Sequence, residues 1–245
     1  MNLYGLIGYP LGHSFSKQYF TEKFEKEGIK DAVYETFPIP SIDEFPALLK
    51  AHSNLKGLSV TIPYKEQVLK FITEFSDEVK YIGATNSIKV DGKKLIAYNT
   101  DIVGFHQSFV KHLKPLNKKA LILGTGGAAK AVQYVLQKLH IDFLLITRSN
   151  ESRNGFINYN MIDEKIMKEY TIIINCSPAG MLPNEHTFPD IPYHLITPHH
   201  YLYDLVYKPA KTIFLQKGEE QGAVVQNGYE MLLIQAEESW KIWNG

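Results

Sequence analysis

Short apolar runs of strand length alternate with stretches of helical period along the chain, and no internal repeat is visible. Residues 3–7 read as a first strand, 16–27 as a helix closed by Gly28, and 33–37 as a second strand. Ser41 stands where a helix would be capped, with Glu44 three residues on in the spacing of a capping box. A third strand is predicted over 57–61. Pro63 follows it, where a fixed φ suits the first turn of a helix. Residues 87–90 and 95–98 flank Asp91-Gly92, a hairpin signal. The pattern then restarts. After the polar segment KPLNKK come strand candidates at 120–123, 143–146, 171–175, 201–204 and 223–225, with helical stretches between several of them. A last helix is predicted over 230–243 and could return to pack on the first half. Such a β–α–β succession implies an α/β fold, with parallel sheets covered by helices on both faces, and a domain boundary near residues 101–115.

Composition narrows the function classes. The chain has 245 residues, enough for one large domain or two small ones with a substantial core. Apolar residues make up 44% and charged residues 21%, the balance of a soluble globular protein. Lys plus Arg is 26 and Asp plus Glu is 26. A net charge of zero argues against whole-chain attraction to nucleic acid or an anionic membrane, but not against one local phosphate site. The single cysteine, Cys176, excludes an intramolecular disulfide and fits a reducing compartment. The first ten residues lack a basic region and a long apolar run, and no apolar stretch approaches a membrane span. The expected location is the cytoplasm.

The sharpest local signal begins at the strand predicted over 120–123. It runs into Gly124, Thr125, Gly126, Gly127, Ala128 and Ala129, in which Gly124, Gly126 and Ala129 match G-x-G-x-x-G/A. The first glycine makes the tight turn, the second lets backbone approach a pyrophosphate, and the small third residue lets helix and strand pack closely. The following helix offers its N-terminal N–H groups and partial positive charge to phosphate. An ordinary tight β–α turn fits the same letters. The next predicted strand ends at Thr147-Arg148. An NAD enzyme usually places an acid there for the ribose 2′-hydroxyl. None is present: Asp142 lies at the opposite end of the strand, whereas Arg148 lies at the correct end with Arg153 nearby. A guanidinium fork suits the 2′-phosphate of NADP, although Arg148 also reads as a solvated surface arginine.

Candidate chemistry in the first half is less specific. Lys65 follows a strand in Ser59-Val-Thr-Ile-Pro-Tyr-Lys and falls in the first turn of a helix, where strand ends line ligand crevices. It suits a general acid–base role, and equally an exposed lysine beside Glu66. Asp101, in Tyr98-Asn99-Thr100-Asp101, reads as a functional acid or as a helix N-cap. His13-Ser14-Phe15-Ser16 fits a helix cap, and Asn86 a turn residue. No histidine spacing suggests a metal site, and Cys176 reads as a small packing residue.

Taken in order, GYPLGHSFS, SVTIPYKE, GATNS, YNTD, GTGGAAKA, NCSPAGM, DLVYKPAKTIF and QNGYEMLLIQA resemble the shikimate dehydrogenase family over essentially the whole chain. The resemblance implies two α/β domains across a cleft. One is an N-terminal substrate-binding and catalytic domain, residues 1–101 plus 229–245. The other is a Rossmann-type, doubly wound parallel-sheet NADP domain, residues 102–228. It implies reversible NADPH-dependent reduction of 3-dehydroshikimate to shikimate, on the route to chorismate and aromatic amino acids, by a monomer or homodimer without metal. By motif, Ser14 and Ser16 would bind the substrate carboxylate, and Thr61, Asn86, Tyr207 and Gln235 its carboxylate or hydroxyls. Lys65 and Asp101 would be the catalytic pair. Gly124, Thr125, Gly126, Gly127, Ala128, Thr147, Arg148 and Arg153 would hold the adenine half of NADP. Residues 176–181, Leu205 and Gly228 would shape the nicotinamide pocket.

Four features depart from the family pattern. Lys17 replaces the proline after the second serine, and Ser59 stands where asparagine is common. Thr147 replaces an asparagine before Arg148, and the C-terminal helical extension is short. The first two bear on substrate selectivity, the third on NADP preference and the fourth on domain packing. Two other readings are a quinate/shikimate dehydrogenase of broader specificity and a non-catalytic sensor of the same fold. The sensor would be expected to lose the Lys65–Asp101 pair.

Overall fold

The computed structural model describes residues 1–12, 15–148 and 155–245. It divides into two compact units, Met1–Thr100 with Gln235–Gly245, and Asp101–Ile234. The first unit carries β1 (Asn2–Gly8), α1 (Phe15–Glu27), β2 (Ala32–Pro38), α2 (Phe45–Ala51), β3 (Leu55–Val60), α3 (Tyr64–Gln67), β4 (Glu74–Phe75), α4 (Asp77–Ile82), β5 (Ser87–Asp91) and β6 (Lys94–Tyr98). Its sheet runs β2-β1-β3-β5-β6-β4. β1 is parallel to both β2 and β3, while β5 is antiparallel to β3 and β6. The hairpin turns at Gly92-Lys93, with Gly92 at φ 59°, one residue beyond the pair expected from sequence. Ser41 caps a short 3₁₀ turn instead of α2, and accepts from the Asp43 N–H at 3.2 Å. That bond reaches two residues on, so the capping box expected with Glu44 does not form.

The second unit carries α5 (Asp101–Phe109), β7 (Lys119–Leu123), α6 (Gly127–Lys138), β8 (Asp142–Thr147), β9 (Phe156–Asn158), α7 (Glu164–Glu169), β10 (Ile172–Asn175), β11 (Tyr201–Asp204), α8 (Ile213–Glu220) and β12 (Val224–Gln226). Its six strands lie in the order β12-β11-β10-β7-β8-β9 and every pairing is parallel. Numbered within the unit, this is the 3-2-1-4-5-6 order of the dinucleotide-binding doubly wound sheet. Sequence periodicity missed β4 and β9. Both are two- or three-residue strands at a sheet edge, too short to show alternation.

Both faces of the second sheet are covered by apolar clusters, so its central strands carry apolar residues at successive positions. In β7, Ala120 and Ile122 face one core with Ile172, Ile174, Tyr201 and Tyr203. Leu121 and Leu123 face the other, with Ile173, Leu202 and Phe214. Helix α6 supplies Ala129, Val132, Val135 and Leu136 to the first of these, at helical spacing.

The final helix, α9 (Tyr229–Asn244), belongs to the second unit through Ile234 and to the first from Gln235. Its last turns enter an aromatic cluster on the first sheet: Trp243 stacks on Tyr4 at 5.5 Å and Trp240 meets the same ring edge-on at 4.9 Å. Gly57 on β3 exists for this packing, because a Cβ there would overlap the Trp243 indole. Gly57→Ala is therefore expected to destabilise the protein by about 2 kcal/mol, the cost of overpacking a rigid ring against backbone. Thermal unfolding of the variant measures it, and an unchanged midpoint would show that the indole moves aside freely.

Candidate active site

In the first unit, parallel β1 and β3 end on the same edge of the sheet. The register Ser59–Ser87–Tyr98 brings the start of β5 and the end of β6 to that edge as well. Thr61 leaves β3 there, its N–H donating to the Ile7 carbonyl at 3.0 Å. Half-buried Lys65 follows on α3, and its carbonyl accepts from the Thr85 N–H at 2.8 Å, which ties the lysine's turn to the loop carrying Asn86. Asn86 is buried and held on three sides. Its Oδ1 accepts from the Thr100 N–H at 2.7 Å, and its Nδ2 donates to Thr100 Oγ1 and Gln235 Oε1, each at 3.0 Å. Thr100 Oγ1 in turn lies 3.1 Å from Ser239 Oγ. A backbone donor sets the orientation of the Asn86 amide, and this turns the Gln235 Nε2 away from Asn86. Half-buried Ser16 hydrogen-bonds the Tyr34 phenol, which donates to Ser59 Oγ at 2.8 Å. Ser16, Thr61, Lys65, Asn86 and Gln235 thus belong to one unit, the last four tied to one sheet edge. Asp101 opens the second unit as the first residue of α5, and is buried. Ser14 and Arg153 lie outside the described residues.

In the second unit, the cofactor candidates fall at the carboxyl ends of the parallel strands. Gly124 follows β7 at φ 110°, a conformation that favours glycine, and a Cβ there would press on the Cys176 and Ser177 backbone at 3.2 Å. This is the point between β7 and β10 where the strand order reverses, the ligand crevice of such sheets. Gly126 caps α6 without a side-chain bond, and a Cβ there would meet nothing within 4 Å. Internal packing does not require glycine at Gly126. Thr125 is exposed, and Gly127 and Ala128 open the helix half-buried. Thr147 ends β8 half-buried and Arg148 follows it exposed, its carbonyl accepting from Asn158 Nδ2 at 3.3 Å. Gly228 donates from its N–H to the Val206 carbonyl at 3.2 Å, and a Cβ there would overlap the Leu205 carbonyl. Half-buried Tyr207 lies on the same loop as Leu205, and burial raises its phenol. Burial likewise pushes the Cys176 thiol up, so it is no ready nucleophile.

Sequence reasoning missed the polar centre of this edge. Asn175 and Asp204 are register partners at the ends of β10 and β11. Asp204 is fully buried; its Oδ1 accepts from Asn175 Nδ2 at 2.9 Å and the Val206 N–H at 3.0 Å, and its Oδ2 from Thr212 Oγ1 at 2.5 Å. Burial pushes its carboxyl up to about 7, against the pull of those bonds. The visible signal was a polar residue closing each apolar triplet, Ile172-Ile-Ile-Asn175 and Tyr201-Leu-Tyr-Asp204.

These features define a class: an α/β protein with a dinucleotide-type site at the switch point of one doubly wound sheet. The family model for the shikimate dehydrogenase substrate binding domain matches residues 6–88. The NADP(+)-dependent shikimate dehydrogenase of Caldicellulosiruptor saccharolyticus is 36% identical, over 97% of this chain and 90% of that protein. A crystal structure of a chorismate mutase/shikimate 5-dehydrogenase fusion from Clostridium acetobutylicum superposes with TM-score 0.90 at 34% identity, covering 99% of this chain and 91% of that one. The shikimate 5-dehydrogenase of Thermus thermophilus, solved with NADP(H) and shikimate, superposes at 0.87 with 28% identity, covering 100% and 94%. The chain belongs to the shikimate dehydrogenase family. Among the described residues, no helix is long and apolar enough to cross a membrane.

Asp204 gives a pH test of the second unit. Its folded value of about 7 lies above its ordinary 3.8, so its contribution to stability is fully present below about pH 4 and is lost as pH rises through about 7. Between about pH 5 and pH 8 the loss is roughly 3 kcal/mol, at about 1.4 kcal/mol for each of the roughly two units across which only the folded form holds the proton. Urea unfolding of the wild type and Asp204→Asn at both pH values should show the wild type losing that much more. Parallel losses in the two proteins would mean that Asp204 does not titrate in this range.

Proposed function

We propose that this protein is an NADP-dependent shikimate dehydrogenase that reversibly reduces 3-dehydroshikimate to shikimate, within chorismate and aromatic amino-acid biosynthesis. The observation that carries the reading is Gly126: a helix-capping glycine demanded by no neighbour, at the switch point of a 3-2-1-4-5-6 sheet, in a chain of this family. Among the described residues, the substrate candidates lie in the first unit, except Tyr207, which lies in the second. Ser14 and Ser16 receive the substrate carboxylate, and Thr61, Asn86, Tyr207 and Gln235 hold the carboxylate or hydroxyls. The second unit takes the cofactor. The turn from Gly124 to Ala128 meets the pyrophosphate, while Thr147, Arg148 and Arg153 meet the adenosine 2′-phosphate. Residues 176–181, Leu205 and Gly228 border the nicotinamide.

Bound NADPH supplies the hydride that reduces the carbonyl carbon. The chain's own task is the proton. As the carbonyl becomes an alcohol its oxygen gains negative charge, and the Lys65 ammonium donates a proton to it. In the reverse direction neutral Lys65 takes the hydroxyl proton. Asp101 is the second member of the catalytic pair and accepts from a substrate hydroxyl. The residues form a soluble, cytoplasmic enzyme, monomeric or homodimeric, and light scattering on the purified protein separates these two states.

An absorbance assay of NADP reduction with shikimate, repeated with quinate and with NAD, tests the reading; faster turnover of quinate with NAD would overturn it. Lys65→Ala should lower kcat by about 10²- to 10⁴-fold, the usual worth of general acid catalysis, while NADP binding by calorimetry stays near wild type. Near-normal turnover would remove Lys65 from the proton-transfer role. Arg148→Ala should raise the KM for NADP about tenfold through loss of charge-assisted bonds, with little change for NAD. Equal loss with both cofactors would take Arg148 away from the 2′-phosphate.

A further inference from the structure

We infer that Asp204 is a positioning residue for the nicotinamide half of the cofactor, an inference that rests on the cofactor reading above. One oxygen holds Asn175 and the N–H of Val206, and the other holds the hydroxyl of Thr212. Each partner anchors a different segment. Asn175 passes the constraint to the turn after β10. Its Oδ1 accepts from the Ser177 N–H at 3.0 Å and the Ser177 hydroxyl at 2.6 Å, and its Nδ2 also donates to the Ala179 carbonyl at 3.2 Å. Val206 fixes the loop after β11, whose Val206 carbonyl receives Gly228. Thr212 caps α8, accepting from the Leu215 N–H, and its Cβ stands 3.1 Å from where a side chain on Gly180 would begin. A single carboxylate therefore registers three segments, around Ser177, Val206 and Thr212, which border the proposed nicotinamide pocket. The adenine-side residues, Gly126 and Arg148, belong to the turns after β7 and β8 and make none of these bonds.

The position suits an acid. Oδ1 must accept, since two N–H donors meet it, while Oδ2 accepts from the Thr212 hydroxyl when ionised and donates to it when protonated, at 2.5 Å; an amide NH₂ prefers about 2.9 Å and fits that short contact poorly. A fully buried carboxylate is costly unless it is hydrogen-bonded, and its three donors are backbone or neutral side chains. Spending such a group on the ordering of three loops makes sense where their position matters more than their stability.

The test separates the two ends of the cofactor. Calorimetry with NADPH and with adenosine 2′,5′-bisphosphate, which lacks the nicotinamide half, is run on wild type, Asp204→Asn, Thr212→Val and Thr212→Ser. Asp204→Asn and Thr212→Val should raise the Kd for NADPH about tenfold, the worth of one lost buried hydrogen bond, and change the Kd for the bisphosphate less than about twofold. Thr212→Ser, which keeps the hydroxyl, should bind NADPH like the wild type. Thr212→Val keeps the branched shape against Gly180, so it carries the test if Asp204→Asn fails to fold. Equal weakening of both ligands, or of neither, would overturn the positioning role. Failure of the wild type to bind either ligand would overturn the cofactor reading itself, and the role of Asp204 with it.

Discussion

At Gly124 the chain turns at φ 110°, a conformation L side chains rarely adopt, and a Cβ there would sit tightly, at 3.2 Å, against the backbone of Cys176 and Ser177. Two parallel strands that are neighbours in the sheet, β7 and β10, therefore deliver their following loops almost into van der Waals contact before the loops part to opposite faces. Everything else in the second unit is arranged around that divergence. β7 leads into α6 through that turn, and the loop from Cys176 is held in place by Asn175, the last residue of β10. The order of strands sets where a ligand can enter, and the glycine turn decides how close it comes.

The first unit solves a different problem, how to present polar side chains from a mixed sheet. Its edge is built by hydrogen bonds that leave little freedom to the groups that matter. The Thr100 backbone orients Asn86, Asn86 orients Gln235, and Ser239 on the same helix as Gln235 returns to Thr100. The circuit is buried, so each lost bond would leave a group without compensation from water. Such a circuit specifies which atom of each amide faces outward.

Much of this was legible in the chain beforehand, and for identifiable reasons. Apolar triplets covered on both faces announced the strands of the second sheet, and the glycine spacing after residue 123 announced the tight turn from β7 into α6. The rest depends on contacts that sequence does not order. Asn175 and Asp204 are twenty-nine positions apart and meet only because β10 and β11 pair in register. Thr100 looked like a capping residue beside Asp101, yet its hydroxyl and its N–H both serve Asn86. Edge strands β4 and β9 are too short to carry a period, and Ser41 caps a turn that propensity alone does not separate from the helix behind it.

The departure at Ser59 gains a physical meaning from the same kind of contact. Its hydroxyl accepts from Tyr34, and the Tyr34 phenol also bonds Ser16, so a change on β3 reaches a residue on α1 through one buried ring. Tyr34 cannot adjust by tilting, since Phe20 stacks on it at 4.6 Å and Trp243 closes the cluster. With the ring held, the length of the side chain at residue 59 sets how the phenol shares its single hydrogen, and hence whether Ser16 acts toward it as donor or acceptor. A serine at residue 59 takes the phenol hydrogen and leaves the phenol oxygen as the acceptor for Ser16. Residue 59 on β3 is thereby linked to Ser16 on α1 through the Tyr34 ring alone.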